Sequence, residues 1–212
     1  MGYRVQEIFP TLQGEGAQAG RSAVFLRFAG CNLWDGNPLS RENAACRFCD
    51  TDFVSLSGAF AGEYADASGL AEVVWSLWTG SGGTPYVVCT GGEPLLQLDV
   101  QLRAALRARG FEIAVETNGT GEAPEGIDWI CVSPKTGTRW VQKSGDEIKV
   151  VWPQEFDLEV LETLPFRHRF LQPKDDPDPE TKARNRVATI EACRRRPAWR
   201  LSFQTHKELG IP

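Results

Sequence analysis

Tyr86-Val87-Val88-Cys89-Thr90-Gly91-Gly92-Glu93-Pro94 is the stretch that decides the fold. Tyr86 to Cys89 is a short apolar run rich in β-branched residues, bounded by turn formers, and reads as a buried strand. Thr90 to Pro94 turns the chain, and a helical pattern follows to near Arg109, where Gly110 is placed as the C′ residue that ends a helix. A second apolar run, Phe111 to Val115, comes next. Strand, turn, helix and strand in that order form the unit of a parallel sheet.

Working outward, the same unit recurs. Ser22 to Phe28 reads as the first core strand, with Val24, Leu26 and Phe28 alternating against Phe25 and Arg27. Ser68 is the expected cap of a helix carrying Leu70, Val73, Val74, Leu77 and Trp78 on one face, ended by Gly80 to Gly83. Ile127 to Val132, Glu147 to Val151 and Phe166 to Leu171 read as further strands, with a short helix from Leu158 to Leu164. A helix from Pro179 to Arg195 and a last strand from Trp199 to Gln204 complete the chain. The count comes to about six or seven strands, too few for an eight-unit barrel. The expected fold is therefore α/β, an incomplete (partial) TIM-like barrel of parallel strands, forming a single domain over 1–212. Asn32 to Ala45, rich in turn formers and charges, reads as an irregular insertion at about 32–45.

The formal net charge of -5 offers no basic surface for nucleic acid or anionic lipid, which points to small partners. No stretch has the length and apolarity of a membrane span, and Met1 to Phe9 lacks the basic and apolar regions of a secretion signal, so a cytoplasmic location is expected. In a reducing compartment clustered cysteines are better read as metal ligands than as disulfides. Of the six cysteines, Cys31, Cys46 and Cys49 gather in one segment, whereas Cys89, Cys131 and Cys193 sit singly in apolar or helical runs and read as small buried hydrophobes.

Three thiolates make an incomplete metal site. A structural zinc takes four protein ligands, and here the fourth would be His168 or His206, the only histidines. An iron-sulfur cluster is the other option, and three thiolates leave one iron of a cubane free. In parallel α/β folds ligands collect at the C-terminal ends of the strands. Cys31, Thr90 to Glu93, Glu116 to Gly119, Ser133 to Lys135 and Gln172 all fall there. Gly91-Gly92 could serve a plain strand-to-helix turn, or could let backbone groups approach a ligand closely.

Together the cysteines and the Gly-Gly-Glu turn resemble those of the radical S-adenosylmethionine enzymes. Fourteen residues separate Cys31 from Cys46, far more than in the usual motif of that superfamily, while the final Cys46-Arg47-Phe48-Cys49 keeps its spacing. The expanded gap narrows the resemblance to the 7-carboxy-7-deazaguanine synthases of queuosine and deazapurine biosynthesis. Leu12-Gln13-Gly14-Glu15-Gly16, Arg27 before Cys31, Cys49-Asp50-Thr51, Glu116-Thr117-Asn118-Gly119, Ser133-Pro134-Lys135 and Gln172-Pro173 extend it over nearly the whole chain.

The resemblance implies a carbon-nitrogen lyase that contracts 6-carboxy-5,6,7,8-tetrahydropterin to 7-carboxy-7-deazaguanine with loss of ammonia. It assigns a 4Fe-4S cluster to Cys31, Cys46 and Cys49, and a magnesium ion to Thr51. It places S-adenosyl-L-methionine at Phe48, Cys49, Asp50, Gly92, Ser133, Pro134, Lys135, Gln172, Pro173, Lys174 and Asp175. The pterin falls to Leu12, Gln13, Gly14, Arg27, Thr90 and Pro212, the last through a terminal carboxylate, with Arg27 suited to a carboxylate partner. Glu15, Glu116 and His206 are polar candidates at the same mouth without an assigned acid or base role. An external electron donor such as flavodoxin and a homodimer are further implications. The competing readings are an activase of glycyl-radical enzymes, which would not need Thr51 or Arg27, and a non-enzymatic zinc-stabilised binding module.

Overall fold

In the computed structural model, which describes residues 2–212, nine strands share one sheet. The elements run β1 (Tyr3–Leu12), β2 (Ser22–Phe28), β3 (Gly62–Tyr64), α1 (Ala67–Ser76), β4 (Tyr86–Gly91), α2 (Val100–Ala108), β5 (Glu112–Thr117) and β6 (Trp129–Val132). They continue with β7 (Gly145–Trp152), α3 (Leu158–Glu162), β8 (Phe166–Pro173), α4 (Pro179–Arg195), β9 (Arg200–Leu201) and α5 (Thr205–Leu209). The strand order is β3-β1-β2-β4-β5-β6-β7-β8-β9. From β2 to β9 every neighbouring pair is parallel, while β1 is antiparallel to both β2 and β3.

The antiparallel start corrects the expectation of an all-parallel sheet and has a simple cause. Only a 3-10 turn, Gly16–Gln18, lies between β1 and β2, and a connection that short returns the chain beside itself in the opposite direction. β1 itself escapes a periodicity reading because its pairing register shifts between Val5 and Glu7, a bulge that resets the in-out alternation, and because Pro10 sits in the run. β3 is three residues long and lies in the Gly- and Ala-rich segment. With these two added, the total rises to nine. The last strand shrinks to Arg200–Leu201, and α5 takes over at Thr205.

α1 to α4 each begin on an aspartate, and at α1 the cap is Asp66, not Ser68: Asp66 Oδ1 accepts from Gly69 N at 2.8 Å. Such caps contribute about 0.5–2 kcal/mol each. One face of the sheet packs on α1 and α2 through Val24, Leu26, Val87, Ile113, Leu70, Leu102 and Leu106, all fully buried. Each such aliphatic side chain contributes about 1.5–3 kcal/mol relative to exposure. A second cluster joins Val132, Ile148, Val150 and Leu171 to Leu158 and Leu161 of α3 and to Trp199. The opposite face of β1, β2, β4 and β5 carries Phe9, Phe25, Tyr86, Val88 and Ala114. No helix of the structure is long and apolar enough to cross a membrane.

Candidate active site

The strand ends and the segments that follow them enclose a cavity of about 260 Å³. Every residue named from the sequence as a site candidate lines it except Pro134, which is buried and outside the lining. The three thiols are part of that lining. Cys46 is buried and Cys31 and Cys49 are half-buried. Pairing with Cys49 pulls Cys46 down to about 7, the same pairing together with burial holds Cys49 well above the ordinary thiol value, and the Cys49 thiol donates to the Thr51 carbonyl at 3.6 Å. Burial pushes the Cys31 thiol up.

The insertion that carries these cysteines is built on Trp34. Its indole donates to the Asn37 carbonyl at 3.2 Å, packs edge-on to Phe53 at 5.6 Å, and carries the Arg41 guanidinium on its face at 4.1 Å. Arg41 also donates to the carbonyls of Arg47, at 3.0 Å, and Cys49, at 3.2 Å, so it fastens the Cys46-to-Cys49 loop from outside. Within the insertion Pro38–Asn43 forms a 3-10 turn capped by Asn37. Sequence reasoning missed Trp34 and Arg41 because neither belongs to a ligand type.

The glycine turn is packed against the same segment. Gly92 N donates to the Phe28 carbonyl at 3.1 Å, and Glu93 N to the Gly30 carbonyl at 3.0 Å. Glu93 is buried and accepts from Thr117 Oγ1 and Asn118 N, both at 2.8 Å, and from Leu95 N at 3.1 Å. The turn is thereby locked between the end of β2, just before Cys31, and the end of β5.

Arg27 and Thr90, which also line the cavity, are register partners on β2 and β4. The Arg27 Nε lies 3.2 Å from Glu7 Oε1, an ion pair whose angle does not make a hydrogen bond, and the guanidinium is 5.3 Å from the Phe9 ring centre. Phe9 and Phe25 stack at 5.5 Å and form an apolar wall. Thr11 Oγ1 donates to the Pro212 carbonyl oxygen at 2.6 Å, which brings the end of α5's tail to this wall. His206 packs over Gly14, and burial lowers its pKa.

The sheet also presents a polar layer to the cavity. Gln13 donates to Glu116 at 3.0 Å and accepts from Glu15 N at 3.1 Å, so its amide is engaged inside the protein. Gln172 donates to Glu15 at 2.9 Å and accepts from Ser202 at 2.9 Å. Lys149, absent from the sequence-derived candidates, pairs with Glu15 and lies 3.5 Å from Glu116. Its signal was available: a lysine between Ile148 and Val150 in an apolar strand sits on the face opposite theirs.

Glu15 titrates under opposing influences. Burial would raise it, but the charge and hydrogen bond of Lys149, with the bond from Gln172, hold it at about 2, below its ordinary 4.5. A carboxyl depressed in the folded state stabilises fully above its unfolded value, and that contribution disappears as pH falls through the folded value. Acid unfolding followed by circular dichroism should therefore show stability falling between pH 4.5 and about 2 in the wild type. Glu15→Gln should fall less steeply over that window, and equal slopes would contradict the pairing.

The rim nearest the thiols is ionic. Lys207 of α5 donates to Asp50 at 2.9 Å and to Asp175 at 2.8 Å, and Lys182 lies 2.7 Å from Asp175. Asp175 is thereby held between two lysines. Lys174 lies 5.6 Å from the centre of the Phe48 ring. Lys135 Nζ donates to Ser133 Oγ at 2.8 Å and to its carbonyl at 2.6 Å.

No three His, Cys, Asp or Glu side chains among the described residues are drawn together as the ligands of one metal ion. His168 does not complete the thiols, since it stacks on Trp129 at 5.6 Å, outside the cavity. The donor set left is three soft thiols facing open space, which suits a cluster more than a closed zinc tetrahedron.

A mainly parallel sheet with thiols, a glycine turn and a guanidinium around one cavity at its strand ends defines a cofactor-dependent α/β enzyme. The comparisons agree. The chain is 56% identical to the 7-carboxy-7-deazaguanine synthase of Bradyrhizobium diazoefficiens and 55% identical to that of Caulobacter vibrioides, with 100% of both chains covered in each case. A solved structure, the crystal structure of QueE from Escherichia coli, superposes with a TM-score of 0.65 at 27% identity, covering 96% of this chain and 94% of that one. No protein-family model matches the chain. The chain belongs to the 7-carboxy-7-deazaguanine synthase family.

Proposed function

We propose that this enzyme carries out the radical S-adenosylmethionine-dependent ring contraction of 6-carboxy-5,6,7,8-tetrahydropterin to 7-carboxy-7-deazaguanine, with loss of ammonia, in queuosine and deazapurine biosynthesis. The observation that carries the reading is one cavity lined by three thiols, by the glycine turn and by Arg27 beside an aromatic wall. Cys31, Cys46 and Cys49 would hold a 4Fe-4S cluster. When bound, the cluster and S-adenosyl-L-methionine supply one-electron chemistry that no side chain provides.

The protein's part is to bind, orient and exclude water. Gly92, Phe48, Cys49 and Asp50 border the cofactor space beside the thiols, and Lys135, held by Ser133, places a cation where an amino-acid carboxylate would lie. Gln172, Pro173, Lys174 and Asp175 close the remaining side, while Trp34 and Phe53 screen the thiols from solvent. Arg27 receives the substrate carboxylate through paired N–H donors. Phe9 and Phe25 cover the face of a bicyclic ring, and Leu12, Gln13, Gly14, Thr90 and Pro212 border its edges. Thr51, next to the last thiols, would give a magnesium ion one oxygen, the rest coming from substrate and water.

The architecture we infer is an incomplete barrel, open between β3 and β9, in a single domain over 1–212 with the insertion at about 32–45. All six cysteines are free, which suits a reducing cytoplasm. A flavodoxin-type electron donor and a homodimer belong to the same reading. The zinc-stabilised module and the glycyl-radical activase are both disfavoured by the single enzyme name shared by full-length relatives.

The deciding experiment is anaerobic turnover with reductant, S-adenosyl-L-methionine, magnesium and the carboxypterin, read by mass spectrometry. A deazapurine carboxylate is expected from protein carrying about four irons. A fully loaded sample that forms no deazapurine would overturn the assignment.

A further inference from the structure

The polar layer below the cavity contains a lysine that the reading above does not use. Lys149 on β7 has a side chain only 5% exposed, and it is flanked by carboxylates from two other parts of the chain. Its Nζ pairs with Glu15 Oε2, from the connection after β1, and lies 3.5 Å from Glu116 Oε1, at the end of β5. Gln13 donates to that same Glu116 Oε1 at 3.0 Å. The second oxygen, Glu116 Oε2, has no hydrogen-bond or ion-pair partner among the described residues, and the Glu116 side chain, 22% exposed, lines the cavity. One oxygen is thus anchored from behind, and the other is presented to whatever enters.

We propose that Lys149 is a positioning residue that fixes Glu116 as an acceptor for an N–H donor edge of a planar heterocyclic substrate whose acid group is received by Arg27 in the same cavity. The ligand chemistry follows from the charges. The unpartnered oxygen of Glu116 accepts from a donor and repels a second anion. A cyclic guanidine or amide edge, with adjacent N–H groups, can give a carboxylate oxygen such a bond. Assigning that edge to the carboxypterin rests on the functional reading above.

The titratable groups facing Lys149 come from several segments. They are Glu15, Glu116, Cys131 of β6, Glu147 of β7 itself, and Lys135 beyond β6. Burial would lower the Lys149 pKa, but Glu116 and Glu15, followed by Cys131 and Glu147, hold it far above the ordinary lysine value. Burial pushes the Glu147 carboxyl up. His206 and Arg27 also face the Glu15 and Glu116 side of the layer.

Replacing Lys149 with methionine leaves Glu15 and Glu116 close together without their cation, and one of them should take up a proton near neutrality. The test titrates loaded protein with the carboxypterin and S-adenosyl-L-methionine in the absence of reductant, from pH 6 to pH 8. Wild type and Lys149→Arg should bind with a nearly flat profile. Lys149→Met should bind at least about tenfold more weakly and lose further affinity toward pH 6, because a protonated Glu116 is a poorer acceptor. Adding Glu15→Gln to Lys149→Met removes the competing carboxylate and should restore much of the binding, which a merely structural lysine would not predict. If Lys149→Met does not fold, Lys149→Gln is titrated in its place. Carbon-13 NMR of glutamate-labelled protein reads the same event without ligand: Glu15 stays ionised in the wild type over this range, and the variant shows a carboxyl titration that the wild type lacks. A flat, wild-type profile in the variant, or no recovery in the double variant, overturns the proposal. Wild-type protein that fails to bind the carboxypterin would instead sink the functional reading, while the NMR titration still decides whether Lys149 holds Glu116.

Discussion

Cys46→Ala protein, reconstituted anaerobically, should lose its brown colour, hold well below four irons, and show no turnover. Three thiols are the minimum for a cubane held by protein, so no ligand is in reserve. The other cysteines cannot substitute: Cys89 and Cys131 are buried in the sheet, and Cys193 lies on α4. Residues that only support a metal ligand cost roughly 10–100-fold when removed, and losing the ligand itself should exceed that. Cys193→Ala serves as the control and should match wild type in iron and rate. Melting of the metal-free proteins separates ligation from folding, because Cys46→Ala removes one small thiol and should shift the midpoint little. Full iron and full activity in Cys46→Ala would remove this residue from the site.

How far the site could be read from the chain depended on where chemistry and local pattern coincide. The strand ends were legible because each apolar run stops at a glycine, serine or glutamine whose type is out of place in a core, as at Thr90-Gly91-Gly92 or Ser133-Pro134-Lys135. α4 was legible to its last residue because Asp178 and Pro179 open it and Arg194 and Arg195 close it. β1 was not, since the bulge between Val5 and Glu7 and the presence of Pro10 erase the alternation on which a strand is recognised. The roles of polar residues were harder still. Gln13 looks like a ligand contact by type, yet its side chain is spent on Glu116 and the Glu15 backbone. Lys149, by contrast, looks like an ordinary strand lysine, and only the tertiary fold shows it between two glutamates. Lys207 bridges Asp50 and Asp175 across 125 residues of chain, a relation no local pattern encodes.

Gly92→Ala should be strongly destabilising for a change of one methyl group. A Cβ at Gly92 would stand 1.9 Å from the Gly30 carbonyl oxygen, 2.5 Å from its carbon and 3.1 Å from Cys31 N. These are backbone atoms, which cannot rotate out of the way as a side chain could. Nor can the two segments simply part, because Gly92 N to Phe28 O and Glu93 N to Gly30 O hold them together. Overpacking costs about 1–3 kcal/mol, and each hydrogen bond broken to relieve it adds about 1 kcal/mol. In a chain of this size each kcal/mol lowers the midpoint by about 2–4 °C, so a fall of roughly 5–15 °C is expected by calorimetry. Gly69→Ala makes the opposite case with the same added methyl: in the first turn of α1 its Cβ meets only Asp66 Oδ1 at 3.6 Å. It should stabilise by about 0.5–1 kcal/mol through the helix preference of alanine. The residue displaced by Gly92→Ala is Gly30, next to the first thiol, so iron loading should fall along with stability. A Gly92→Ala protein that melted like wild type but bound S-adenosyl-L-methionine weakly would instead place the need for glycine at the ligand, and would separate that need from the packing of Gly30.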